Sequence, residues 1–245
     1  MKGLLLRVGI DSSCGKWNAP VDPETNDFTY IPIPEAISRF QPGKEITYNA
    51  FEEALARFSS RRHASEKIEL PHRLRESGCH VDPNFETLTY GDQDSGRGIA
   101  IKSLQKGDFI AFFSSMKPIK PCEHKLIYAL IGLYVVNKTH QVNELSQELR
   151  DLNAHGIRRT GNDNDWIVFA DPHRSGRFTH CLPIGERRNG AYRVTEDLLH
   201  VWGGLSVKDG YIQRSVKPPF FNYPERFLLW LEAKNIELIR MNNWK

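Results

Sequence analysis

A chain of 245 residues that is 40% apolar and 26% charged can bury a substantial core, which excludes a disordered protein. Its 33 Lys and Arg against 30 Asp and Glu give a net charge of +3, too small to announce a polyanion partner on its own. No apolar run reaches the length of a membrane span, and the first residues lack the pattern of a signal peptide, so a cytoplasmic protein with no membrane partner is expected.

Leu4, Leu5, Leu6 and Val8 form a first strand that breaks on Gly9 and presents Asp11, Ser12 and Ser13 at its tip, followed by Cys14, Gly15, Lys16 and Trp17. Asp11 there is either a ligand-facing group on a rigid scaffold or the acceptor of an Asx-turn that only satisfies the following amides. A second strand is predicted from Phe28 to Ile33, where Pro32 and Pro34 restrict it to an edge. Asn49 and Glu52 have capping-box spacing, and Phe51, Ala54, Leu55 and Phe58 recur at helical period. A basic segment at about 57–76 has no clean periodicity and reads as a mobile loop. Farther on, His80 and Asp82 stand two apart, on one side of an extended backbone. Residues 91–98, rich in Gly but without the Lys-Ser or Lys-Thr of a phosphate loop, read as a flexible loop beside the site.

The centre of the chain is rich in strand signals. Residues 108–114 and 125–137 read as strands, the second with a bulge expected at Gly132, and residues 165–170 read as a third. Between them Val142, Leu145, Leu149 and Leu152 mark an amphipathic helix, and residues 223–234 form a last helix with Phe227, Leu228, Trp230 and Leu231 facing inward. No repeat or low-complexity linker divides the chain, so one α+β domain is expected over residues 1–245.

The chemistry-bearing residues are two acid–imidazole pairs, His80 with Asp82 and Asp171 with His173, which together with Asp11 suit general acid–base work at one polar centre. Strand tips at one sheet edge converge, which predicts Asp11, His80 and Asp171 in a single cleft. The alternatives are plain surface turns. Phosphate contacts are expected from Arg7, Lys16, Arg61, Arg62, Arg97, Arg174 and Arg177, with solvated charge as the alternative. Trp17, Tyr90 and Trp202 are the candidates to stack on a base, while Phe109 and at least one of Phe112 and Phe113 belong to the core. Neither acid–imidazole spacing matches a recognised metal signature, so no metal ligand is assigned, and nothing fixes a cofactor. Of the four cysteines, Cys122 alone has a histidine, His124, at workable chelating distance; Cys14, Cys79 and Cys181 read as ordinary reduced thiols.

Residues 9–13 (Gly-Ile-Asp-Ser-Ser), 31–35 (Ile-Pro-Ile-Pro-Glu), 80–83 (His-Val-Asp-Pro), 107–109 (Gly-Asp-Phe) and 202–203 (Trp-Gly) occur in the order found in the nucleotide modification associated domain family, third class, which the first 205 or so residues resemble. Ile10 stands where that family usually has an aromatic residue, and residues 14–16 (Cys-Gly-Lys) replace its Gly pair. The resemblance implies a prokaryotic DNA-modification or phage-defence setting, with DNA or a nucleotide as partner and other proteins of the same operon beside it. It carries over no settled reaction. Residues 105–137 are in addition similar to the barrel core of the PUA, ASCH and EVE modules, which bind RNA or modified bases. Together these imply an α+β fold with a mixed, partly closed sheet or barrel and flanking helices. The implied function is either action on a nucleobase through a polar Asp/His cleft or non-catalytic reading of a modified base.

Overall fold

The computed structural model describes residues 1–59, 68–213 and 217–243. Its strands are β1 (Gly3–Arg7), β2 (Pro20–Val21), β3 (Ile33–Glu35), β4 (Gly78–His80), β5 (Thr89–Asp92), β6 (Phe109–Pro118), β7 (Ile127–Gln141), β8 (Trp166–Ala170), β9 (Gly176–Pro183), β10 (Gly185–Arg188), β11 (Ala191–Val194) and β12 (Leu238–Ile239). The helices are α1 (Glu52–Ser59), α2 (His72–Arg75), α3 (Arg97–Lys102), α4 (Gln147–Arg150), α5 (Glu196–Trp202) and α6 (Pro224–Ala233).

Eight strands make one mixed sheet along the path β1-β6-β7-β8-β5, with β2 also on β6, β9 also on β7, and β12 on β9. The parallel pairs are β1 with β6 and β2 with β6; the other pairings are antiparallel. The sheet is large and flanked by helices, as an α+β reading requires, and among the described residues it does not close into a barrel. β1 and β5 end the path without pairing to each other, so the barrel half of the expectation gives way to an open sheet. β3 and β4 form a separate two-stranded ribbon, as do β10 and β11.

Period-2 alternation distributes the apolar side chains to the two faces. On β6, Ile110, Phe112 and Met116 enter one core cluster, while Phe109, Ala111 and Phe113 enter the other. On β1, Leu4 and Leu6 take the first side and Leu5 the second. β7 alternates in the same way until it passes Gly132, where the parity reverses. Ala129 and Ile131 face the first cluster, yet Leu133 and Val135 face the second. The cause is a bulge: Phe112 pairs with Gly132 and Phe113 with Leu130, which leaves Ile131 unopposed. A side chain at position 132 would sit 2.6 Å from the Phe85 ring and 2.8 Å from the Gly176 carbonyl, so only glycine lets the strands approach here.

Several local expectations shift by a few residues. The paired strand near the prolines is Ile33–Glu35, not Phe28–Ile33; Phe28 makes only an isolated bridge to Val21. Pro34 sits opposite Cys79 in the ribbon, consistent with proline at a sheet margin. The helix carrying Ala54, Leu55 and Phe58 is entered through a 3-10 turn at Tyr48–Phe51, so Asn49 lies inside the turn and does not cap it. The helix expected around Val142 to Leu152 is split into a 3-10 turn, Val142–Glu144, and the single turn of α4. Residues 91–98 are not wholly a loop, since β5 runs through Asp92 and α3 begins at Arg97.

The bulge makes a direct stability prediction. Gly132→Ala should lower the unfolding free energy by about 1–3 kcal/mol in urea denaturation, the usual range for overpacking a tight interior, and an unchanged midpoint would show that the strands can part without cost.

Candidate functional site

β1 delivers Arg7 and the turn that follows it. Asp11 Oδ1 accepts hydrogen bonds from Ser13 N at 2.6 Å, Ser13 Oγ at 2.6 Å and Cys14 N at 2.7 Å, which is an Asx-turn. Its other oxygen pairs with Arg7 Nη2 at 2.7 Å. Arg7 donates further to Ser115 Oγ and to the Gln213 carbonyl, and its guanidinium lies over the Tyr128 ring. Both groups therefore have partners within the protein while lining the cleft described below.

The ribbon β3–β4 sets Ile33 opposite His80 and Glu35 opposite Gly78. That pairing brings the Glu35 carboxylate to 2.7 Å from His80 Nδ1, and because a carboxylate can only accept, His80 carries its hydrogen on Nδ1. His155, in the loop after α4, is held in the same manner by Asp165, its Nδ1 lying 2.6 Å from Asp165 Oδ2. The two rings meet edge to face with their Nε2 atoms 3.2 Å apart. Asp82 completes the group, with Oδ2 at 3.7 Å from His80 Nε2 and 3.5 Å from His155 Nε2. Asp82 is itself fixed by the Gly91 amide, which it accepts at 2.9 Å, and by Asn153 Nδ2 at 3.1 Å. A Cβ at position 91 would fall 2.7 Å from the His155 ring, so a glycine is what lets this amide and that ring share the space. Arg158 backs the cluster, reaching Glu35 at 2.9 Å and Asp165 at 3.3 Å.

These contacts set opposite basicities on the two rings. Burial pulls both histidines down, but for His80 the hydrogen bonds and charges of Asp82 and Glu35 outweigh it and hold the ring above its ordinary value. His155 stays well below, through burial and then the charge on His80. Glu35, although burial opposes it, is brought down to about 2 by His80 and Arg158, while burial raises Asp165 to about 6 against the pull of Arg158. One nitrogen of each ring and one carboxylate oxygen lie within 4.8 Å of one another, an arrangement able to hold a cation or to relay a proton.

A cleft of about 360 Å³ opens onto this cluster, within the size range of small-ligand sites. Its walls come from Arg7, Asp11 and Cys14 on one side, His80, Asp82 and His155 at the base, and Tyr90, Asp92 and Arg97 on the other. Arg97 bonds Asp92 Oδ2 at 3.1 Å and the Arg7 carbonyl at 3.2 Å, with 40% of its side chain exposed. Tyr90 is buried, its hydroxyl on Asp92.

Of the residues singled out by sequence, the fold brings Arg7, Asp11, His80, Asp82, Tyr90 and Arg97 together. Asp171 and His173 are not among the lining residues. They form an exposed turn at the far end of β8 in which Asp171 accepts from the His173 amide and pairs with Arg174, so the expected convergence of Asp171 with Asp11 and His80 gives way to a turn closed on itself. Arg177 donates to the Met241 and Phe178 carbonyls and lies over Phe28, lining a different pocket with Arg57. Trp202 is fully buried on the opposite face of the sheet against Phe221, Phe227 and Trp230, so its ring cannot meet a base. Trp17 is half-buried against the first core cluster, outside the lining, and the Lys16 carbonyl accepts from Arg73. Arg61 and Arg62 lie outside the described residues, while the described parts of the basic segment hold the end of α1 and the single turn of α2, where a loop was expected. Sequence reasoning missed His155, Glu35 as a His80 partner, and Asp165, because no local spacing ties them to His80 and Asp82. Cys122 donates to the His124 carbonyl, and Cys79 and Cys181 are buried free thiols.

The chain belongs to the nucleotide modification associated domain 3 family, whose model matches residues 2–209. That span contains every residue named around the cleft. No curated protein and no solved structure matches the chain.

Arg158 supplies the partly buried cation that Glu35 and Asp165 share. Arg158→Ala should cost on the order of 3 kcal/mol in chemical denaturation, because it strands two carboxylates; a cost below about 1 kcal/mol would mean that solvent or Arg39 replaces it.

Proposed function

We propose that this protein acts on a nucleotide, or on a nucleobase presented by DNA, in the cleft between the β1 turn and the His80–Asp82–His155 cluster. The observation that carries the reading is the convergence of two imidazoles, three carboxylates and two guanidinium groups on one cavity in a family associated with nucleotide modification. Imidazoles and carboxylates fixed by outer hydrogen bonds are what proton transfer at a base or phosphate needs. Arg97, partly exposed at the wall, is the group placed to meet a phosphate in a fork geometry. Among the described residues Tyr90 is the one aromatic ring lining the cleft apart from the histidines, and they supply no enclosing aromatic cage, the mark of a base reader. That composition favours catalysis over reading. The setting we assign is a prokaryotic DNA-modification or phage-defence system in the cytoplasm, with the protein working beside other members of that system.

The first test is binding. Deoxynucleoside monophosphates and a short single-stranded oligonucleotide, titrated calorimetrically, should bind the protein, and Arg97→Gln should weaken the tightest of them tenfold or more with the circular dichroism spectrum kept. Absence of binding by any of them would remove the nucleotide reading. Catalysis is tested by mass spectrometry of nucleosides after incubation of DNA with wild type and Asp82→Asn, with and without divalent cations and group donors. A new nucleoside mass from wild type that disappears in Asp82→Asn is expected; binding without any mass change would favour the reader.

A further inference from the structure

We infer that His80, Asp82 and His155 form the three-point ligand set of a divalent transition-metal ion whose remaining coordination positions face the cleft. This deepens the reading above, since the ion would sit at the base of the same cavity.

The first argument is geometric. The two Nε2 atoms and Asp82 Oδ2 define a triangle with edges of 3.2, 3.7 and 3.5 Å. A triangle with those edges has its three corners about 2.0 Å from their common centre, which is the length of a metal–imidazole or metal–carboxylate bond. An ion slightly out of that plane satisfies all three ligands with angles near tetrahedral and keeps a side open for water or substrate.

The second argument is the hydrogen count. With Glu35 and Asp165 against Nδ1 of their rings, the neutral form of each ring leaves Nε2 as an acceptor beside a carboxylate oxygen, so the space between them is filled by a shared proton or by a cation. Three electron-pair donors at such distances repel unless something positive lies among them. A carboxylate behind each ligating histidine is also how metal sites fix the tautomer and orient the ring.

The third argument is charge. Glu35, Asp82 and Asp165 bring three carboxylates to the two rings, against one partly buried guanidinium, Arg158, with Arg39 reaching Glu35 only from solvent. A divalent ion offsets the surplus that a single shared proton leaves partly uncompensated. Two nitrogens and one oxygen favour Fe(II), Co(II) or Zn(II) over Mg(II), which prefers oxygen and water.

The test is direct metal binding, scored apart from any nucleotide assay. Protein stripped with chelator and titrated with Co(II) should take up one equivalent per chain, with visible absorption of the intensity given by four- or five-coordinate cobalt and no thiolate charge-transfer band. Zn(II) should compete for that site and Mg(II) should not. His80→Gln, Asp82→Asn and His155→Gln should each weaken binding at least tenfold with the circular dichroism spectrum kept, whereas the remote Cys122→Ser should bind as wild type does. Glu35→Gln and Asp165→Asn should weaken it by about 10–100-fold, the usual effect of an outer partner. If a ligand variant fails to fold, wild type alone decides, because an ion that binds the native state must raise the melting temperature. No cobalt spectrum and no thermal shift in wild type, or unchanged affinity in folded ligand variants, would overturn the inference and leave a proton-bridged pair of histidines. Metal binding without nucleotide binding would keep this inference and remove the reading of the preceding section.

Discussion

The constraint on which the rest of the site depends is the pair of buried imidazoles, His80 and His155, each held at Nδ1 by its own carboxylate. A buried charge is tolerated only when its partners are in place, so Glu35, Asp82, Asp165 and Arg158 must arrive together or not at all. Those residues come from the β3–β4 ribbon, from the stretch following it and from the connection between α4 and β8. The network therefore fastens three stretches of chain with little regular structure to the end of a well-ordered sheet.

The sheet contributes position. Its central strands are apolar on both faces and carry no polar side chain into the site, yet the bulge at Gly132 decides which side chains of β7 face which core. One cluster continues toward the cleft through Val8 and Tyr90, while the other is sealed by α5 and α6 around Trp202. A wall of aromatic rings on that second face does structural work alone. The division explains why, among the described residues, a chain with many aromatics lines its cleft with one besides the histidines.

Charge follows a similar economy. Arg158 and Arg159 serve Glu35, Asp165 and the Phe40 carbonyl; Arg188 and Arg193 pair with Asp209; Arg174 pairs with Asp171. These arginines are thus paired within the protein, which weakens them as a phosphate footprint, whereas Arg97 lines the cleft with 40% of its side chain exposed.

Sequence by itself determined the elements whose signal is periodic. The first strand, the strands around Phe112, Ile131 and Val168, the bulge at Gly132 and the last helix follow from alternation or helical spacing, because each needs only its own neighbours to bury an apolar face. The ordered motifs also sufficed for the family, and His80 with Asp82 was visible because two residues in a strand share a side. Tertiary structure alone decided the rest. Trp202 and Tyr90 are equally candidates to stack on a base by sequence, and only the packing assigns one to a sealed core and the other to a cleft wall. Asp171 and His173 carry the same two residue types as His80 and Asp82, but their turn satisfies itself in solvent. His155 lies in a loop with no periodicity, and its meaning arises from Asp165, Asp82 and His80, contacts between residues far apart in the chain that no local pattern encodes.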